Sequence, residues 1–144
     1  MAKRRCRSIN IRKWLQLVMK ILIIDDEPQI RAILRIWFEQ EGFVVLDGEN
    51  GREGVKIQRK EPADMLICDL IMPDQEGIET ITSFKKEFPS VGIIAISGGG
   101  KIGPDSYLEI AVQLGAWKAF KKPLDIPQLI EAVREWAYLN SIEL

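Results

Sequence analysis

The chain is expected to fold as an α/β protein, with five βα units around a five-stranded parallel sheet. Three observations carry this expectation. From Met19 onward, short apolar runs alternate with longer segments whose apolar residues recur at helical period, as βα units require. Most of the short runs are apolar throughout, which suits strands covered on both faces. At 144 residues, 47% hydrophobic and 28% charged, the chain has the size and composition of one globular core.

The first strand is predicted at Lys20 to Ile24. The helix after it has Pro28 in its opening turn, a stripe of Ile30, Ile33, Leu34, Trp37 and Phe38, and Gly42 just past its end, where proline and glycine belong. A second strand is read at Phe43 to Leu46, and Asn50 with Glu53 has the spacing of a capping box that opens the next helix. Met65 to Cys68 forms the third strand, followed by a helix holding Ile78, Ile81, Phe84 and Phe88. Val91 to Ile96 is the fourth, after which Pro104 and Gly115 bracket a segment carrying Leu108, Ala111 and Leu114. The fifth strand, Trp117 to Phe120, leads to Asp125 and Gln128, again at capping spacing. The last stripe, Leu129, Ile130, Val133, Trp136 and Ala137, runs almost to the terminus. With no repeat or linker, one domain is expected over residues 19–144, with no output domain beside it.

Composition excludes several chemistries. Histidine is absent, so there is no Ser-His-Asp or Cys-His catalysis, no His-ligated zinc and no phosphohistidine within the chain. Cys6 and Cys68 have neither metal spacing nor the density of a secreted scaffold and read as reduced thiols. Six of the 20 Lys and Arg fall in residues 1–18, which hold no acid; the remaining 14 bases face 21 acids, a net −7 over residues 19–144. The basic head is read as an extension, disordered or partly helical; an arm touching nucleic acid, membrane or a partner is the rival reading. Arg12, Lys13, Gln16 and Lys20 interrupt its apolar residues, unlike a secretory signal. No run approaches the roughly eighteen apolar residues of a membrane helix, so a cytoplasmic protein is expected.

In an open α/β sheet, ligands bind beyond the carboxyl ends of the strands, where strand order reverses. Asp25 and Asp26 follow the first strand, Asp69 the third, Ser97 the fourth, and Lys121 and Lys122 the fifth. Taken singly, each has a plainer role: acids favour a helix N-terminus, turns favour Asp, and lysines face solvent. Together they bring three carboxylates, a hydroxyl and a base to one rim. Carboxylates 4 Å apart repel by about 4 kcal/mol per pair at an effective dielectric of about 20, so the cluster calls for a cation. Oxygen-only donors favour a hard ion, and Mg²⁺ suits a site that also admits phosphate oxygens.

The segments ILIIDDEP, ICDLIMPDQEG, IIAISGG and AFKKPL resemble successive signatures of the receiver domain of bacterial two-component response regulators, over about residues 19–140. The resemblance, chemotaxis-regulator-like and single-domain, implies a doubly wound flavodoxin-like sheet of order 2-1-3-4-5. It implies that Asp69 is the phosphoacceptor, that Asp25, Asp26, Asp69 and the Ile71 backbone carbonyl hold Mg²⁺, and that Ser97 is the switch hydroxyl. Lys122 then corresponds to the lysine before a cis proline, Pro123, which leaves Lys121 as a surface charge. A histidine kinase or phosphotransfer protein would donate the phosphoryl group, and a downstream target protein or relay partner would receive the signal. Neither direct DNA binding nor turnover catalysis is implied.

Some features depart from the family. The position three residues before Lys122, usually aromatic, is Ala119, and the neighbouring Phe120 is expected to pack in the core on the other face. Ile71, two residues after Asp69, offers no amide or carboxylate to orient a water, which implies slow loss of phosphate. It also weighs against a Mg²⁺-dependent phosphohydrolase, which needs an acid there. Ala119 keeps open a second rival, a phosphorylation-independent receiver-like binding module. Gly98, Gly99, Gly100 and Gly103 fit neither nucleotide-binding spacing and read as a loop able to close over a phosphoryl group. Tyr107, Trp117 and Trp136 lie on segments that receivers use for partners, and read equally as packing residues.

Overall fold

The computed structural model describes residues 18–72, 77–98 and 104–140, with backbone alone at 104, 105 and 107. The readings for residues 1–17, for the glycines beyond Gly98 and for the Tyr107 side chain lie outside the described residues. Ten elements alternate: β1 (Lys20–Ile24), α1 (Pro28–Gln40), β2 (Val44–Gly48), α2 (Gly51–Lys60), β3 (Met65–Asp69), α3 (Gly77–Glu87), β4 (Gly92–Ser97), α4 (Pro104–Gln113), β5 (Lys118–Lys121) and α5 (Ile126–Leu139). The five strands form one parallel sheet of order β2-β1-β3-β4-β5. Among the described residues no helix is long and apolar enough to cross a membrane.

Side chains alternate between the two faces of the sheet. Ile21, Ile23, Met65, Ile67, Ile94 and Ile96 face α1 and α5, packing on Leu34, Phe38, Leu129, Val133 and Trp136. Leu22, Ile24, Leu66, Cys68, Ile93 and Ala95 face the opposite way, against Ile81 and Phe84 of α3 and Ala111 of α4. Phe120 packs on the first cluster and Ala119 on the second, so Phe120 has the core role its register implies. Trp136 is buried, and Trp117 packs beside it with its indole N–H donating to the Ala132 carbonyl at 3.3 Å. Both rings thus pack on the first cluster, as one of their two readings expects.

Several strand ends shift from expectation. β2 starts one residue later and runs through Asp47 to Gly48, while β3, β4 and β5 end on Asp69, Ser97 and Lys121. A parallel ladder bonds through the backbone and continues past the last apolar side chain. The α1 stripe is also too wide: Leu34 and Phe38 are buried, but Ile33 and Trp37 are 44% and 42% exposed. Leu114, expected on the apolar stripe before Gly115, is likewise exposed.

Register builds the rim. Ile24 pairs with Cys68, so Asp25 and Asp69 leave the sheet side by side. β1 is followed by β2 on one flank and by β3 on the other, which makes this the point where strand order reverses. Ser97 pairs with Lys121, and Lys122 donates its backbone N–H to the Ser97 carbonyl at 2.9 Å.

Candidate functional site

Asp25 is fully buried. Its Oδ1 accepts the Glu27 N–H at 2.8 Å, and its backbone carbonyl accepts from the Arg31 guanidinium at 2.7 Å. Its Oδ2 is buried without a hydrogen bond; Lys122 Nζ lies 3.0 Å away as an ion pair only. Asp69 is 3% exposed, and its Oδ1 accepts the Ile71 N–H at 3.3 Å. Its Oδ2 lies 3.6 Å from Lys122 Nζ, which also donates to Glu27 Oε1 at 2.8 Å.

Two glycines permit this geometry. A Cβ on Gly77 would sit 2.1 Å from the Asp69 carbonyl oxygen, so only glycine lets α3 start against the end of β3. The Lys122 stem runs over Gly98, where a Cβ would come within 3.0 Å of Lys122 Cδ. The Lys122–Pro123 peptide is cis. Asp26, Glu27, Asp69, Ile71, Gly98, Lys122 and Pro123 line an open cleft of about 670 Å³.

Carboxylate oxygens of Asp25, Asp26 and Asp69 lie within 4.8 Å of one another. Burial, then the charge of Asp25, pushes the Asp69 carboxyl up to about 7, although Lys122 and the Ile71 amide oppose the rise. Asp25 is raised by burial too, against the Glu27 amide and Lys122. Burial pulls the Lys122 ammonium down, but contacts with Glu27, Asp25 and Asp69 outweigh it and hold it above the usual lysine range. The thiol of Cys68, free and buried, is pushed well up by burial and by the charges of Asp69 and Asp25, which keeps it unreactive.

These observations test the fit of a metal ion. The Lys122 ammonium contacts Asp25, Glu27 and Asp69, with Asp26 as a fourth carboxylate in the cluster, and a buried carboxylate oxygen lacks a hydrogen bond, an arrangement unfavourable until positive charge is added. The donors are all oxygen, so the site fits a hard divalent ion such as Mg²⁺. The structure thus gathers Asp25, Asp26, Asp69 and Lys122 into one cluster, and places Ile71 in the lining and Ser97 buried at the end of β4. Sequence reasoning missed Glu27 and Arg31, both of which contact this cluster. The signal available for Glu27 was its place between the acidic pair and Pro28.

Residues 21–134 match the family described as the response regulator receiver domain. Sporulation initiation phosphotransferase F of Bacillus subtilis (strain 168) is 31% identical over 122 residues, which is 85% of this chain and 96% of that protein. Transcriptional regulatory protein GlrR of Escherichia coli (strain K12) is 30% identical over 113 residues, 78% of this chain, which spans only 25% of that protein's length. Among solved structures, a response regulator receiver domain protein from Clostridium thermocellum superposes with a TM-score of 0.78 at 27% identity, over 86% of this chain and 98% of its own. Receiver domains bind Mg²⁺ at an acidic Asp cluster and interact with histidine kinases or phosphotransfer proteins. With its sheet order, its rim of acids and these matches in agreement, the chain belongs to the response regulator receiver domain family of two-component signalling.

Proposed function

We propose that Asp69 is the residue that accepts the phosphoryl group, with Asp25, Asp26 and the Ile71 carbonyl completing a Mg²⁺ site and residues 19–144 forming the receiver. The observation that carries this reading is the buried Asp69 carboxylate, within 4.8 Å of two more acids and 3.6 Å from Lys122. An Asp69 carboxylate oxygen forms the new P–O bond as the P–N bond to the donor's phosphohistidine breaks, and the departing imidazole takes up a proton. Mg²⁺, when bound, supplies positive charge against the oxygens of the transferred group. Lys122, 14% exposed and fixed over Gly98, favours the ionised nucleophile and then pairs with a phosphoryl oxygen as a point charge.

The product adds a charge of about −1.5 to −2 and three acceptors at the rim. Ser97, at the end of β4 and one residue from the cleft, is the hydroxyl that responds. Ala119 supplies no ring on the α3 and α4 side, and the signal passes to a protein target through altered protein contacts. The chain is a phosphoryl-carrying switch and not a turnover enzyme.

The test is intact mass after incubation with acetyl phosphate and Mg²⁺. The wild type should gain about 80 Da, one phosphoryl group on a carboxylate nucleophile. Asp69→Asn should gain nothing. After donor removal the added mass should persist for minutes or longer, because Ile71 orients no water. An unchanged gain in Asp69→Asn would refute the assignment.

A further inference from the structure

We infer that Glu27 is a positioning residue whose carboxylate holds the Lys122 ammonium at the outer edge of the cluster and thereby tunes how tightly Asp25, Asp26 and Asp69 hold Mg²⁺. The inference rests on the reading of those acids as a Mg²⁺ site. Glu27 occupies the N-cap of α1 with extended backbone, φ −89° and ψ 113°, yet its side chain caps nothing. A short Ser, Thr, Asp or Asn is the usual choice there, because its oxygen reaches back to the helix amides. Here the backbone N–H of Glu27 is given to Asp25 Oδ1, and the carboxylate reaches outward to a lysine 95 positions away in the chain.

The distances define a tether. Lys122 Nζ lies 2.8 Å from Glu27, 3.0 Å from Asp25 and 3.6 Å from Asp69. The lysine end is nearly covered, at 14% exposure, while the Glu27 end is 55% exposed. The ammonium therefore sits between a buried acidic pair and a solvent-facing acid, with its stem guided by Gly98.

An ammonium and a divalent cation compete for the same two carboxylates, since each is held there by the same negative charge. With Glu27 present, the ammonium keeps an anionic partner when it yields Asp25 and Asp69 to the cation. It also stays at the rim, within reach of an incoming phosphoryl oxygen. Without Glu27, Asp25 and Asp69 are the ion-pair partners left to it among the described residues, and it competes with the cation more strongly.

The experiment is calorimetric titration of the unphosphorylated protein with MgCl₂, comparing wild type, Glu27→Gln, Lys122→Met and the double variant. Circular dichroism melts would establish that all four are folded. Glu27→Gln should weaken Mg²⁺ binding about three- to tenfold in the presence of Lys122, a coupling typical of groups in direct contact. Lys122→Met should tighten binding, and in that background Glu27→Gln should change it less than about twofold. Equal weakening in both backgrounds would make Glu27 a partner of the cation itself and overturn the inference, as would no weakening in the wild-type background. Wild type that binds no Mg²⁺ would overturn the metal reading and this inference with it, an outcome distinct from the other two.

Discussion

Ile23, Ile67 and Ile94, within β1, β3 and β4, are scarcely better covered than Asp25, Asp69 and Ser97, two or three residues further along the same direction of chain. The isoleucines contribute to stability about 25 cal/mol for each Å² of apolar surface removed from water. The acids, nearly as dry, work against folding until partners or a cation offset the loss of hydration. Similar burial thus has opposite signs a few ångströms apart. The rim has traded stability for chemistry, and its polar residues are held in place by the apolar sheet beneath them.

The largest effect comes from breaking the apolar side of this comparison. Phe84 on α3 is fully buried against the face formed by Leu66, Cys68 and Ala95, remote in chemistry from the acids. Phe84→Ala should lower the unfolding free energy by about 3–5 kcal/mol in urea titrations, the usual consequence of emptying an aromatic site in a core. A loss under about 1 kcal/mol would mean that this cluster does not support the fold.

A substitution at the seam between the two regions sharpens the contrast. In an open helix, Gly→Ala stabilises by about 0.5–1 kcal/mol. At Gly77 the new Cβ would meet the Asp69 carbonyl oxygen at 2.1 Å and Leu70 Cα at 2.5 Å, and these are backbone atoms that cannot swing aside. Gly77→Ala should instead destabilise by about 1–3 kcal/mol and weaken Mg²⁺ binding, because α3 can only be accommodated by moving the end of β3. Stabilisation with unchanged Mg²⁺ affinity would show that the close approach is not required.

Legibility in the sequence followed the same division. Asp25, Asp26 and Asp69 were recognisable because they stand just past apolar runs, and a parallel sheet delivers such positions to one edge; Lys122 was told from Lys121 by its resemblance to the family's lysine before a proline, here Pro123. The five strands were legible for the same reason, with their ends displaced where the ladder runs on through Asp47, Asp69, Ser97 and Lys121. Glu27 was passed over although its place between the acidic pair and Pro28 was visible, since an acid there already has a local explanation at a helix start and nothing nearby points to a lysine 95 positions away. Ile33 and Trp37 were placed on the buried stripe because period alone does not say how wide an arc the neighbours cover; α1 touches the sheet and α5 over a narrower one.

If buried acids at the rim oppose folding until a cation arrives, melts of wild type and Asp69→Asn from pH 5 to 8, with EDTA and with Mg²⁺, will show it. The Asp69 carboxyl stands at about 7 in the folded protein against 3.8 ordinarily. The folded state therefore binds the proton more tightly, and the stability this lends is complete below about 3.8 and lost as pH rises through about 7. In EDTA, Asp69→Asn should gain on wild type as pH rises, reaching about 2 kcal/mol at pH 8, which is several degrees in Tm. Mg²⁺ binds the folded wild type and should raise its Tm toward or past that of the variant. If Asp69→Asn melts below wild type in EDTA at pH 8, or Mg²⁺ lifts both proteins equally, the acids of the rim are not waiting for a cation and the account is wrong.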